Sequence, residues 1–64
     1  MSTLCWILTA RNGDWWTGGR VNSPDSIDWK RLPRWDNKRD AKRAADAIRG
    51  AIGIELKVES LNFD

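Results

Sequence analysis

Trp15 and Trp16 stand side by side one residue after Asn12-Gly13, in a chain of only 64 residues. Asn-Gly between two apolar segments is a strong hairpin signal, because both residues tolerate the left-handed backbone that a tight turn needs. The run TLCWILTAR, Thr3 to Arg11, is rich in β-branched and aromatic residues and supplies the first strand. Asp14 to Thr17 supplies the returning one. Neighbouring side chains on a strand point to opposite faces. A single covering layer can therefore shelter only one of the two indoles, and the other must be covered separately or left at the surface.

Beyond the hairpin, Gly18-Gly19 breaks the strand and Ser23-Pro24-Asp25-Ser26 marks a surface loop. Trp29 to Trp35 can form a short third strand, which Pro33 confines to a sheet edge or makes irregular. From Asp36 the period changes. A capping residue at Asp36 or Asn37 precedes Ala41, Ala44, Ala45, Ile48 and Ile52, spaced by three and four residues, and Gly50 or Gly53 ends the helix. Lys38, Arg39, Lys42, Arg43 and Arg49 gather on the other side with Asp46. The alanine-rich stripe permits close approach to a sheet. In the last segment Ile54, Leu56 and Val58 alternate with Glu55, Lys57 and Glu59, the pattern of a half-buried strand.

These elements predict one α+β domain over residues 1–64. It is a small antiparallel sheet of three to four strands in the order β, β, a short β, α, β, covered on one face by a single amphipathic helix. The face away from the helix would carry Cys5, Ile7, one of Trp15 and Trp16, and the charged side of the last strand. Either that face presents its aromatic residue as an interaction surface, or the loop over residues 18–28 folds across it.

A chain this short sits near the lower limit for folding without a staple and has little room for a cofactor pocket, so no cofactor or metal is expected. Five Trp supply large buried areas cheaply in residues, and some of them are core on that ground. There is no histidine, which excludes Ser/His and Cys/His catalysis and most zinc sites. Cys5 is the lone cysteine, set in an apolar run with no cationic sequence neighbour, and is expected to be an inert buried hydrophobe. No stretch has the pattern of a signal peptide or the length of a membrane span. The glycines of NGDWWTGGR lack phosphate-loop spacing, and no pair of carboxylates is placed for acid-base work. No catalytic residue and no enzyme is expected; a soluble, cytosolic protein fits.

Charge is sorted along the chain. Residues 29–49 hold eight Lys or Arg against three Asp, a net of +5, whereas the remainder is −3. The basic segment could meet phosphates, a nucleic acid held by a partner, or an acidic protein surface, and its helical part could equally be a solvated face. In WKRLPRW, Trp29 and Trp35 are interleaved with Lys30, Arg31 and Arg34 beside a stiff proline, and aromatic and arginine residues are the usual anchors of interfaces. The candidate partner-binding residues are therefore Trp15, Trp16, Arg20, Lys30, Arg31, Arg34, Trp35, Lys38, Arg39 and Lys42.

The succession Trp6-Ile7-Leu8-Thr9, Gly13-Asp14-Trp15-Trp16-Thr17-Gly18, Ala41-Lys42-Arg43-Ala44-Ala45-Asp46-Ala47-Ile48 and Ile54-Glu55-Leu56-Lys57-Val58 resembles small orphan proteins encoded by bacteriophages and prophages. In these an aromatic hairpin precedes an alanine-rich helix and a closing strand. The resemblance extends to anti-CRISPR inhibitors, which share smallness and a lack of enzymatic residues. It implies a phage-encoded binder in the host bacterial cytosol that disables a CRISPR-Cas effector, protein or ribonucleoprotein, by occupying its surface. Many such inhibitors are acidic DNA mimics; the basic segment here departs from them and favours an acidic protein surface, or guide RNA and protein together. The alternative is a phage regulator that binds nucleic acid directly, through the basic helix face and an exposed tryptophan. Because the acidic remainder offsets the patch, free nucleic acid is expected to bind weakly at most. The chain would act as a monomer or as a homodimer paired through its sheet edge.

Overall fold

The computed structural model describes residues 3–28 and 30–63. The elements are β1 (Thr3–Ala10), β2 (Trp15–Trp16), β3 (Val21–Asn22), α1 (Lys38–Ile52) and β4 (Leu56–Phe63), with one 3-10 turn at Pro24–Ser26. The four strands make a single sheet in the order β3-β2-β1-β4 with every pairing antiparallel, and one helix completes an α+β fold.

Two tight turns set the first half. Between β1 and β2, Gly13 N–H donates to Ala10 O at 3.0 Å and Ala10 N–H to Asp14 O at 2.6 Å, while Gly13 takes φ +93°. This is a three-residue loop closed by a glycine in the left-handed region. Asn12 Oδ1 accepts from Asp14 N–H at 3.1 Å and stiffens it. Between β2 and β3, Thr17 N–H and Oγ1–H both donate to Arg20 O at 2.9 Å around Gly18-Gly19.

The third strand is therefore Val21–Asn22, paired with β2, and not the expected Trp29–Trp35 segment. Trp29 itself lies outside the described residues. Residues 30–34 form no strand, and only Trp35 reaches the sheet, as a single bridge to Trp6. Pro33, which has no N–H to donate, stands two residues before that bridge and confines pairing to one residue.

The helix begins and ends on side-chain and glycine signals. Asn37 is the N-cap: its Oδ1 accepts from Asp40 N–H at 2.9 Å and its Nδ2 donates to Asp40 Oδ2 at 3.1 Å. Gly53 closes the C-terminus at φ +75°, donating to Arg49 O, whereas Gly50 is carried inside the helix. The inward stripe is Ala41 and Ala45, fully or nearly fully buried, flanked by Ala44 and Ile48. Ile52 belongs to the same stripe by spacing but is 53% exposed. Ile48, one turn earlier, and Ile54, just past the helix end, pack against the core in its place.

Two cores result, one on each face of the sheet. Under the helix, Leu8 and Trp16 pack with Ala41 and Ala45, ringed by Trp6, Val21, Trp35, Leu56 and Val58. On the far face Ile7 is covered by Ile27 and Leu32, with Trp15 and Leu61 at the margin. Burying a side chain such as Leu8 or Ile7 is worth about 2 kcal/mol, so a second small core matters in a chain of this size. The segment after β3 thus serves as a lid, and it extends past residue 28 to Leu32.

Candidate binding surface

The ten predicted residues separate into three places. Trp16 is 8% exposed and belongs to the core under the helix, so it is not a surface anchor: as the partner of Val21 on the helix face, it is covered by α1. Trp15, one residue away and on the opposite face, is half-buried against the lid. Arg20, Lys30 and Arg31 are exposed on the lid side. Arg20 and Arg31 line an open cavity of about 310 Å³ with Thr17, Asn22 and Asp28. Arg31 Nε lies 3.7 Å from Asp28 Oδ2, while Asp28 Oδ1 accepts from Lys30 N–H at 3.1 Å, so this turn is held by its own carboxylate. The ion pair is exposed and contributes little to stability.

Arg34, Trp35, Lys38, Arg39 and Lys42 occupy the chain's entry into α1 and the helix itself. Trp35 is half-buried, Arg34 and the three helix cations are exposed, and Trp6, absent from the sequence-based candidates, lies beside them. Trp6 and Trp35 exchange both backbone hydrogen bonds, at 2.8 and 2.9 Å, and so point to the same face. Lys38 Nζ sits 5.9 Å from the centroid of the Trp6 ring, within range of a cation-π attraction. Alternation alone could have found Trp6: it shares the even-numbered face of β1 with Leu8, under the start of the helix.

Outward from this aromatic pair runs the charged face of α1. Lys42, Arg39, Arg43 and Arg49 are exposed, and among the described residues none of them makes an ion pair. Asp46 and Asp40 are the acidic residues on the helix, and Asp40 is engaged by the cap. The result is a ridge of positive charge about four turns long, with two half-covered indoles at its N-terminal end. Exposed cations at this spacing raise the local potential toward anionic surfaces.

Cys5 is buried, and burial pushes its thiol above the ordinary value, against the pull of Arg34 and with the help of Asp36. A cation does act on Cys5, contrary to the expectation from its sequence neighbours, because the Trp6–Trp35 bridge brings Arg34 back beside β1. Burial outweighs it. A further open groove of about 570 Å³, lined by Ala10, Arg11, Asn12, Val21, Glu55, Leu56 and Lys57, lies where β1 ends and β4 begins. It mixes both signs of charge with small apolar patches.

No helix among the described residues is long and apolar enough to cross a membrane. Compared with known proteins, the chain matches no family model, no curated protein and no solved structure.

Proposed function

We propose that the chain is a non-enzymatic binding protein that lays the basic face of α1, with Trp6, Trp35 and Lys38 at its end, on an acidic surface of a host defence complex. The observation that carries this reading is the ridge itself: exposed Lys38, Arg39, Lys42, Arg43 and Arg49, whose opposite side is committed to the core, beside two partly buried indoles. A partner that covered the two rings would gain apolar area, and carboxylates or phosphates set along the ridge would meet cations with no ion-pair partner among the described residues. The resemblance to phage-encoded inhibitors supplies the class of target, a CRISPR-Cas effector disabled by occupation of its surface in the host cytosol. Arg34, next to Trp35, is placed to join the contact, while Arg20, Lys30 and Arg31 form a separate, lid-side group.

Direct binding to free nucleic acid draws on the same ridge, but a stacking platform needs a freely presented ring; Trp16 is inside the core, and Trp6, Trp15 and Trp35 are each partly buried against a core. The deciding experiment captures partners from a CRISPR-carrying host lysate with the tagged chain, with and without nuclease. Enrichment of an effector complex that survives nuclease and is lost with Lys38→Glu/Lys42→Glu supports the proposal. Enrichment of nucleic acid alone, or none dependent on the ridge, overturns it.

A further inference from the structure

We propose that two copies of the chain pair through the outer edge of β4, antiparallel and centred on Val58, to make one continuous eight-stranded sheet. This does not rest on the binding role given to the helix.

The direction of the backbone groups follows from the bridge at Trp6. Both its N–H and its C=O are bonded to Trp35, so they point away from β4, and Ala10 likewise bonds toward Asp14 and Gly13. Cys5, Ile7 and Thr9 must then face β4, where they stand opposite Leu61, Glu59 and Lys57. Alternation leaves Leu56, Val58 and Ser60 with their backbone groups directed outward. Among the described residues no strand and no backbone hydrogen bond meets them there. An eight-residue strand with one open edge is a template for another strand.

Charge selects the occupant and the register. A two-fold axis through an antiparallel pair puts residue i of one copy opposite residue j of the other, with i and j on the same face. Centred on Val58, the pairing sets Lys57 of each copy opposite Glu59 of the other, twice by symmetry. These are the pairs without mutual hydrogen bonds, whose side chains approach more closely. Leu56 then meets Ser60 and Val58 meets itself, and the outward groups form about six hydrogen bonds. Centring on Lys57 or on Glu59 instead places like charges face to face, and centring on Ser60 sets Glu59 against Leu61 with no opposite charge. Centring on Leu56 would set Lys57 against Glu55, but it draws on Ile54 and Glu55, which precede the strand, so only the Val58 register keeps the opposite charges within β4 of both copies.

The helices permit the arrangement. Both lie on the same side of the joined sheet, roughly 10 Å apart if each sits over β1 and β4. Lys38 leans toward Trp6, so the flank toward the open edge carries Asp40, whose carboxylate is held by the Asn37 cap, and then Ala44, Ala47 and Ala51, side chains small enough for that spacing over the rest of the helix.

The test is the mass of the purified chain in solution by light scattering and sedimentation over a range of concentrations. A dimer is expected. Lys57→Glu and Glu59→Lys, both at exposed positions, should each weaken it at least about tenfold, because two attractive pairs become two repulsive ones. The double exchange Lys57→Glu/Glu59→Lys should restore it. Ser60→Pro, which removes an outward donor, should weaken it while circular dichroism shows the fold retained. A folded wild type that stays monomeric throughout, or a dimer indifferent to the single reversals, overturns the proposal, as does a double exchange as weak as the singles.

Discussion

Trp6 and Trp35 are joined by two reciprocal backbone hydrogen bonds, 29 residues apart in the chain and two residues before the Asn37 cap of α1. This bridge is what aims the helix: it pins the end of the lid to the middle strand, so that Lys38 starts over the Trp6 ring and Ala41 falls on Leu8. Trp35→Ala should keep the backbone bonds but remove one wall of the aromatic pair, costing about 2 kcal/mol, less than a fully buried tryptophan would. Urea unfolding followed by Trp fluorescence measures it. Lys38→Ala should cost about 0.5 kcal/mol in the same assay.

Trp15 and Trp16 should differ sharply. Trp16 closes the core under the helix, and Trp16→Ala should lose about 3–5 kcal/mol, enough to unfold a domain of marginal stability. Trp15→Ala should lose less, since it borders the lid core and is only half-buried, and its melt should remain cooperative. Equal losses in thermal melts of the two variants would contradict the division of faces.

Cys5 should be labelled by a thiol reagent only as fast as β1 opens, because it is buried and its thiol stays protonated above the ordinary range. The sign of the linked pH effect is fixed by that shift. With the folded pKa above the unfolded one, the native state holds the proton longer, so stability is complete below the ordinary thiol value and falls as pH rises through the folded one. Cys5→Ala should flatten that alkaline loss, as read from unfolding midpoints taken at neutral and alkaline pH.

Arg34→Glu should leave the fold within about 1 kcal/mol, as expected for an exposed side chain, while partner capture is lost. Capture at wild-type level would move the contact along the ridge toward Lys42 and Arg43. The same substitution should push the Cys5 thiol further up, since it replaces the charge that lowers it with one that raises it.

Free DNA or RNA should bind the chain weakly at physiological salt, with an affinity that falls steeply as salt rises, because the ridge is offset by six carboxylates elsewhere. Fluorescence anisotropy with random oligonucleotides checks this, and submicromolar affinity at physiological salt would contradict it.

What the amino-acid sequence determined by itself was local. The turn at Asn12-Gly13, a cap at Asp36 or Asn37, a stop at Gly50 or Gly53, the alanine stripe and the alternation from Ile54 depend on residues within one or two turns of each other, where side-chain geometry and glycine freedom act directly; the structure then shows Asn37 as the cap and Gly53 as the stop. The same locality explains the misses. Val21–Asn22 is too short to carry a period, and Trp29–Trp35 carries strand-forming residues whose pairing Pro33 restricts. Only tertiary structure decided which indole faces the helix, since alternation separates Trp15 from Trp16 without saying which side α1 will take. It also decided that Ile27 and Leu32 close the second face, that Ile52 stays exposed despite its place in the apolar stripe, and that Trp6 joins Trp35. Each of these is a contact between segments far apart in the chain, chosen by which surfaces bury most apolar area together, and no window of neighbouring residues contains that information.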